Sequence, residues 1–158
     1  MRLSTQTIIF ILLISSCNVR FSDVHSEYRT EIALWLFKNG GEIYQQIEKD
    51  PKNYWFLYFD DALTCDACKL DILSQVRDKE SIIIITNFSK KTHVEAFRKA
   101  YKLTNELVNI PSQSDNFSLP FLFRFTSNKA EHINIIDKSF LKYESIEETL
   151  KKKASWEE

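Results

Sequence analysis

Apolar residues along the chain form four short blocks that predict β-strands. Residues 54–59 and 81–88 are nearly continuous apolar runs, which is typical of strands covered on both faces of a sheet. Residues 121–125 and 131–136 flank a polar turn and predict an antiparallel hairpin. The pattern therefore predicts a mixed sheet of about four strands.

Apolar residues at helical spacing occupy residues 29–47. They predict one helix, or two short helices broken at Gly40 and Gly41, with Trp35 and Phe37 packed in the core. The preceding residues 19–28 are mixed and polar, which indicates a linker.

A second helix is predicted between the first two strands, with Leu70, Leu73 and Val76 on its apolar face. Strands joined by a helical crossover pair in parallel. Residues 54–88 therefore predict a parallel strand–helix–strand unit.

Two capping boxes predict further helix starts. Thr92 and Glu95 open a helix whose apolar side continues to Val108, and Ser145 and Glu148 open a C-terminal helix. The lysines near the end of that C-terminal helix suit its dipole and are read as a solvated face. The complete order of elements predicts an α/β domain with a mixed sheet flanked by helices.

The charge balance and the glycine content exclude several functions. The formal net charge is -1, which argues against a nucleic-acid partner. Glycine occurs twice, at Gly40 and Gly41, and no phosphate-binding loop surrounds the pair. The sequence predicts no bound cofactor and leaves the oligomeric state open.

The N-terminus predicts export. Arg2 precedes a short apolar run at residues 8–14, which is typical of a signal peptide over residues 1–16. Residues 14–17 (ISSC) resemble the lipobox of bacterial lipoproteins, a family in which the cysteine is acylated after cleavage. The resemblance implies a lipid-attached Cys17, a tether over residues 17–28 and a domain over residues 29–158, held at a membrane on the periplasmic or outer face. An ordinary secretory signal is the alternative.

Cys65 and Cys68 stand where the first strand gives way to a helix. The helix N-terminus favours the negative thiolate, which is the nucleophile of disulfide exchange. A second cysteine three residues later can attack the resulting mixed disulfide and close a short ring. An exported pair also meets an oxidising compartment, so this spacing predicts a thiol–disulfide site.

The order strand–CxxC–helix–strand–helix–loop–proline–hairpin–helix resembles the thioredoxin fold over roughly residues 30–154. Exported, membrane-tethered thioredoxin-like proteins of bacteria are the nearest likeness. The resemblance implies that Cys65 attacks the substrate disulfide and that Cys68 resolves the mixed disulfide that forms. It also implies that Leu119 and Pro120 line the substrate groove and that the peptide bond between them is cis. Exported protein thiols or disulfides would be the partners, with an electron donor that the sequence does not identify.

The chain departs from that family around the cysteines. Thr64 replaces the usual tryptophan, and Asp66-Ala67 replaces Gly-Pro. Asp66 disfavours a thiolate at Cys65, and Lys69 offsets this in part. The buried acid of the family's preceding strand has no counterpart within residues 54–59, and Asp60 and Asp61 are interpreted as turn residues.

Two other functions remain open. A CxxC pair is half of a zinc site, and His25, His93 and His132 are the histidines that could complete one; a copper site would use His132. Neither His93 nor His132 has ligand spacing, and the sequence predicts no metal. A thioredoxin-like binding module with a structural disulfide is the other alternative.

Overall fold

The computed structural model describes residues 5–47, 50–60, 66–111, 117, 119–126, 129–137 and 145–154, with side chains from residue 26 onward apart from 66, 67 and 152–154. The chain divides into two units, residues 1–34 and residues 35–158. Helix α1 (Thr5–Gln46) is continuous, so the predicted linker at residues 19–28 has helical backbone, and Gly40 and Gly41 do not interrupt the helix.

The second unit contains a five-stranded mixed sheet. Its strands are β1 (Trp55–Phe59), β2 (Ile82–Thr86), β3 (Leu107–Asn109), β4 (Phe121–Thr126) and β5 (Lys129–Ile135), and a 3-10 turn at Pro51–Asn53 leads into β1. The spatial order is β3-β2-β1-β4-β5. The predicted α/β class and mixed sheet are confirmed, with one more strand than expected.

Two of the strand pairings were predicted from the sequence, and two were not. β1 pairs in parallel with β2, and helix α2 (Asp66–Val76) connects them. β4 pairs antiparallel with both β1 and β5, and β3 lies parallel to the outer side of β2. The parallel unit and the antiparallel hairpin are therefore as predicted, and β1 is the central strand.

Alternate residues of β1 face two different cores. Trp55, Leu57 and Phe59 pack in a cluster with apolar residues of α2, of helix α3 (Lys91–Tyr101) and of helix α4 (Ile146–Ala154). Phe56 and Tyr58 belong to the opposite face, which is aromatic. Both faces of the central strand are thus buried, which explains its unbroken apolar run.

The aromatic face packs against the part of α1 that belongs to the second unit, from Trp35 onward. The Trp35 ring lies edge-on to Tyr58, with 4.7 Å between centroids, and Tyr44 lies edge-on to Phe125. Trp35 is 2% exposed, as predicted, whereas Phe37 is 88% exposed. The core prediction for Phe37 is wrong because this residue lies on the solvent side of the helix.

The helix predicted near Thr92 is present but without the predicted Thr92 capping box, whereas the capping box at Ser145 is confirmed. α3 begins at Lys91, and its N-cap residue Lys90 makes no side-chain capping bond. At α4, the Glu148 amide donates to Ser145 Oγ (3.0 Å) and the Ser145 amide donates to Glu148 Oε2 (3.3 Å). The two bonds satisfy free donors of the first turn reciprocally.

The segment after α3 forms a strand instead of continuing the helix. Lys102 caps α3 with φ 53°, a left-handed conformation that ends a helix. The buried Asn105 side chain donates from Nδ2 toward the carbonyls of Val76 (3.1 Å), Lys79 (3.0 Å) and Ile82 (3.0 Å). Asn105 therefore joins the end of α2 to the start of β2 and orients the chain into β3.

Replacing Asn105 with alanine is expected to destabilise the domain by about 2 kcal/mol, because three carbonyls, two of them in buried hydrogen bonds, lose their shared donor group. Denaturant unfolding followed by circular dichroism measures the loss. Asn53→Ala is the matched control, since Asn53 is exposed in the turn before β1. Equal stability of the two variants would contradict this role.

Candidate functional site

Cys68 lies in the first turn of α2, directly after the central strand in the chain. It is half-buried and disulfide-bonded. Cys65 lies outside the described residues, and the Cys17 side chain is also not among those described. The structure thus shows that Cys68 is oxidised at a helix N-terminus, whereas its pairing with Cys65 stays a prediction.

Leu119 and Pro120 come immediately before β4, whose first residue Phe121 pairs with Tyr58 near the end of β1. Pro120 is buried and its carbonyl accepts a bond from the Ile136 amide (2.8 Å); Leu119 is half-buried. Because β1 and β4 are antiparallel, the start of β4 and the end of β1 share one edge of the sheet. Leu119 and Pro120, the predicted groove residues, therefore lie at the end of the sheet where β1 finishes, from which the chain continues to α2.

The Leu119–Pro120 bond is trans, since none of the peptide bonds between described residues is cis. The predicted cis bond is wrong. Trans is the ordinary state of a bond before proline. In this state the Pro120 carbonyl continues the β4–β5 pairing one residue beyond Phe121 and Ile135.

Asp60 is a buried acid that the sequence interpretation missed. It follows the last residue of β1 and is 2% exposed. Its Oδ2 accepts bonds from the Tyr58 hydroxyl (3.3 Å) and the Phe117 amide (2.9 Å). A carboxyl at the C-terminal end of a central parallel strand is at the usual position of α/β sites, and that position was the signal in the sequence.

Aromatic packing holds Phe117 against Asp60. The Phe117 ring lies edge-on to Trp35, Tyr58 and Phe121, with centroids 5.5–5.9 Å apart. Trp35 Nε1 is buried and has no hydrogen-bond partner among the described residues. The Phe117 amide bond to Asp60 and the ring contact with Tyr58 thus attach the loop before β4 to the end of β1, and the other two ring contacts reach α1 and β4.

A cavity of about 290 Å³ opens between the end of β1, α2 and α3. Its aromatic walls are Phe59, Phe88, Phe97 and Tyr101. Further lining comes from Asp60, Lys69, His93, Ala96 and Ala100. Lys69 follows Cys68 in the chain, so the cavity reaches the helix turn that carries the disulfide.

The two histidines whose side chains are described, His93 and His132, lie on different elements, and the side chain of His25 is outside the described part. His93 is exposed on α3 and edge-on to Phe88. His132 is exposed on the edge strand β5 with φ 59°, beside an irregularity in the β4–β5 register, and β4 separates it from β1. Among the described side chains, no three histidine, cysteine, aspartate or glutamate residues form a group suited to a metal ion.

No family model, curated protein or solved structure matches this chain. Within the part of the chain that the structure describes, no helix has the length and hydropathy needed to cross a membrane.

Proposed function

We propose that this protein is a thioredoxin-like thiol–disulfide oxidoreductase that reduces exported cysteine-containing proteins. The observation that carries the proposal is the disulfide-bonded Cys68 in the first turn of the helix after the central strand. Free amides at a helix N-terminus stabilise a thiolate when such a disulfide is reduced.

The strand connections support a thioredoxin-like arrangement. The parallel β1–α2–β2 unit, the antiparallel β4–β5 hairpin and the final helix α4 follow the order of that family. β3 is an addition, placed at the sheet edge between α3 and the loop that leads to Pro120. Pro120 lies at the end of the sheet where β1 finishes, and from there the chain continues toward the cysteines.

The proposed reaction moves two electrons from the protein to its substrate. In the reduced protein, the Cys65 thiolate attacks a substrate disulfide, and one substrate sulfur leaves as a thiolate that takes up a proton. Cys68 then attacks the Cys65 sulfur, releases the second substrate thiol and leaves a Cys65–Cys68 disulfide. A dithiol donor of the cell envelope must reduce that disulfide again.

The N-terminal sequence supports attachment at the cell envelope. An acylated Cys17 would hold the domain at a membrane surface through two lipid chains, each adding roughly 0.8 kcal/mol per buried CH₂. The protein would then meet exported substrates in an oxidising compartment, where disulfides form and persist.

The redox equilibrium of the cysteine pair tests the proposed function. The folded full-length protein is equilibrated in dithiothreitol buffers of graded potential and its free thiols are alkylated and counted by mass. We expect reversible reduction of Cys65 and Cys68 at a potential below about −200 mV, where reducing members of the family lie, with the circular dichroism spectrum unchanged.

A different result would favour the binding-module alternative. If the disulfide is reduced only as the domain unfolds, the bond is structural and the protein does not cycle. Cys17→Ser serves as the matched control, because it removes the third thiol from the count and should leave the potential unchanged.

A further inference from the structure

The cavity beside α2 has the properties of a recognition pocket. Neighbouring rings form its walls: Phe97 lies 5.6 Å from Phe59, 5.2 Å from Phe88 and 5.1 Å from Tyr101, centroid to centroid. Phe59, Phe88 and Phe97 belong to the core and are at most 8% exposed. The pocket thus has aromatic walls that are continuous with the core.

Small residues keep this pocket open. Ala96 and Ala100 are one helical turn apart on α3, line the cavity and are exposed. A larger side chain at either position would occupy space that is empty in the structure. Asp60, Lys69 and His93 add polar groups to an otherwise apolar lining.

The size of the cavity indicates what it can hold. Its volume of about 290 Å³ is just below the range of roughly 300–1,000 Å³ that is usual for small-molecule sites. One large side chain fits such a volume better than a complete cofactor. Aromatic walls favour an aromatic ring, since rings pack edge-to-face and offset-stacked with one another.

We propose that this pocket binds an aromatic side chain of the partner polypeptide, located within a few residues of the cysteine that the protein reduces. The inference rests on the proposed function, because Lys69 joins the pocket to Cys68 within one turn of α2. The pocket would select substrates by sequence context, whereas the cysteine pair would perform the exchange.

Two matched peptides test the selection. Each carries one cysteine in a mixed disulfide with thionitrobenzoate, and either phenylalanine or glycine two residues from it. The full-length protein is reduced beforehand, and release of thionitrobenzoate is followed by absorbance. We expect the phenylalanine peptide to react about 10-fold faster, the low end of what burying one apolar group contributes to selectivity.

Filling the pocket should remove that preference. Ala96→Phe and Ala100→Leu are expected to react with both peptides at the rate of the glycine peptide. Glu95→Phe is the control, because it places the same ring on an exposed position of α3 outside the cavity lining. Thermal unfolding of each variant shows that the fold is retained.

Binding of a phenylalanine peptide with serine in place of cysteine separates the pocket from the redox chemistry. Calorimetry should detect binding to the wild type and to Glu95→Phe, and none to Ala96→Phe. If neither disulfide peptide is reduced but the serine peptide binds, the proposed redox function is wrong and the proposed binding of an aromatic side chain in the pocket is supported. If both are reduced equally and the serine peptide does not bind, the pocket is refuted. Equal binding of free N-acetylphenylalanine amide would overturn the assignment to a polypeptide.

Discussion

Replacing Cys68 with serine is expected to trap the protein in a mixed disulfide with its substrate, whereas Cys65→Ser should abolish the exchange. In Cys68→Ser the attacking thiol is present, but the sulfur that would release the substrate is missing. In Cys65→Ser the remaining Cys68 is half-buried on α2 and is not the proposed nucleophile. The two variants are therefore expected to give different products, a trapped mixed disulfide and no exchange, although each lacks one sulfur.

The trapping experiment uses the full-length chain with Cys17→Ser, so that no third thiol competes. Each variant is incubated with a disulfide-containing model protein, and covalent adducts are resolved by non-reducing electrophoresis. An adduct with Cys68→Ser that dithiothreitol reverses, together with none from Cys65→Ser, is the expected pattern. Multiple-turnover reduction should fall to the rate of buffer alone in both. Equal trapping by the two variants would contradict the assignment of Cys65 as the attacking and Cys68 as the resolving cysteine. Full activity in both variants would rule out the proposed reaction.

Asp60→Ala should produce the largest loss of stability among the polar residues discussed. Removing the carboxyl leaves the Phe117 amide and the Tyr58 hydroxyl without this buried acceptor. An unsatisfied buried donor costs about 1–3 kcal/mol, so the expected total is about 3 kcal/mol. The melting temperature should fall by about 6–12 °C for a domain of this size.

Two further variants make the Asp60 result specific. Asp60→Asn keeps one acceptor oxygen and should lose roughly half as much stability. Asp78→Ala is the exposed control: its carboxylate pairs with Arg77 Nε at 3.3 Å on the surface, where a substitution changes stability by less than about 0.5 kcal/mol. If Asp60→Ala and Asp78→Ala melt together, Asp60 does not hold the loop before β4.

The strands of the sheet were largely predictable because their signal is local. Residues 54–59 are all apolar or aromatic, residues 82–85 are four consecutive isoleucines, and β1 and β2 contain these two runs almost completely. Ser145 and Glu148 predicted the start of α4 because a capping box depends on residues only three apart. In each case neighbours in sequence are also the physical partners.

The incorrect predictions concern residues whose conformation or burial depends on contacts with residues distant in the sequence. Leu107 and Val108 fit a helical pattern, yet Lys102 ends the helix and hydrogen bonds from Asn105 to α2 and β2 direct the chain into β3. Asp60 was interpreted as a turn residue because it directly follows a strand. Its buried carboxylate instead accepts a hydrogen bond from Phe117, which lies 57 positions away. A short segment takes the conformation that its long-range partners stabilise.

The sequence alone determined the α/β class, the parallel β1–β2 unit, the antiparallel β4–β5 hairpin and the placement of Cys68 at a helix start, because these follow from periodicity and chain order. The tertiary structure decided the trans Leu119–Pro120 bond, the burial of Asp60 and the aromatic pocket beside the disulfide-bonded helix. Those features depend on how β1, α2, α3 and the start of β4 pack around one edge of the sheet. Such packing brings together residues that no local pattern relates.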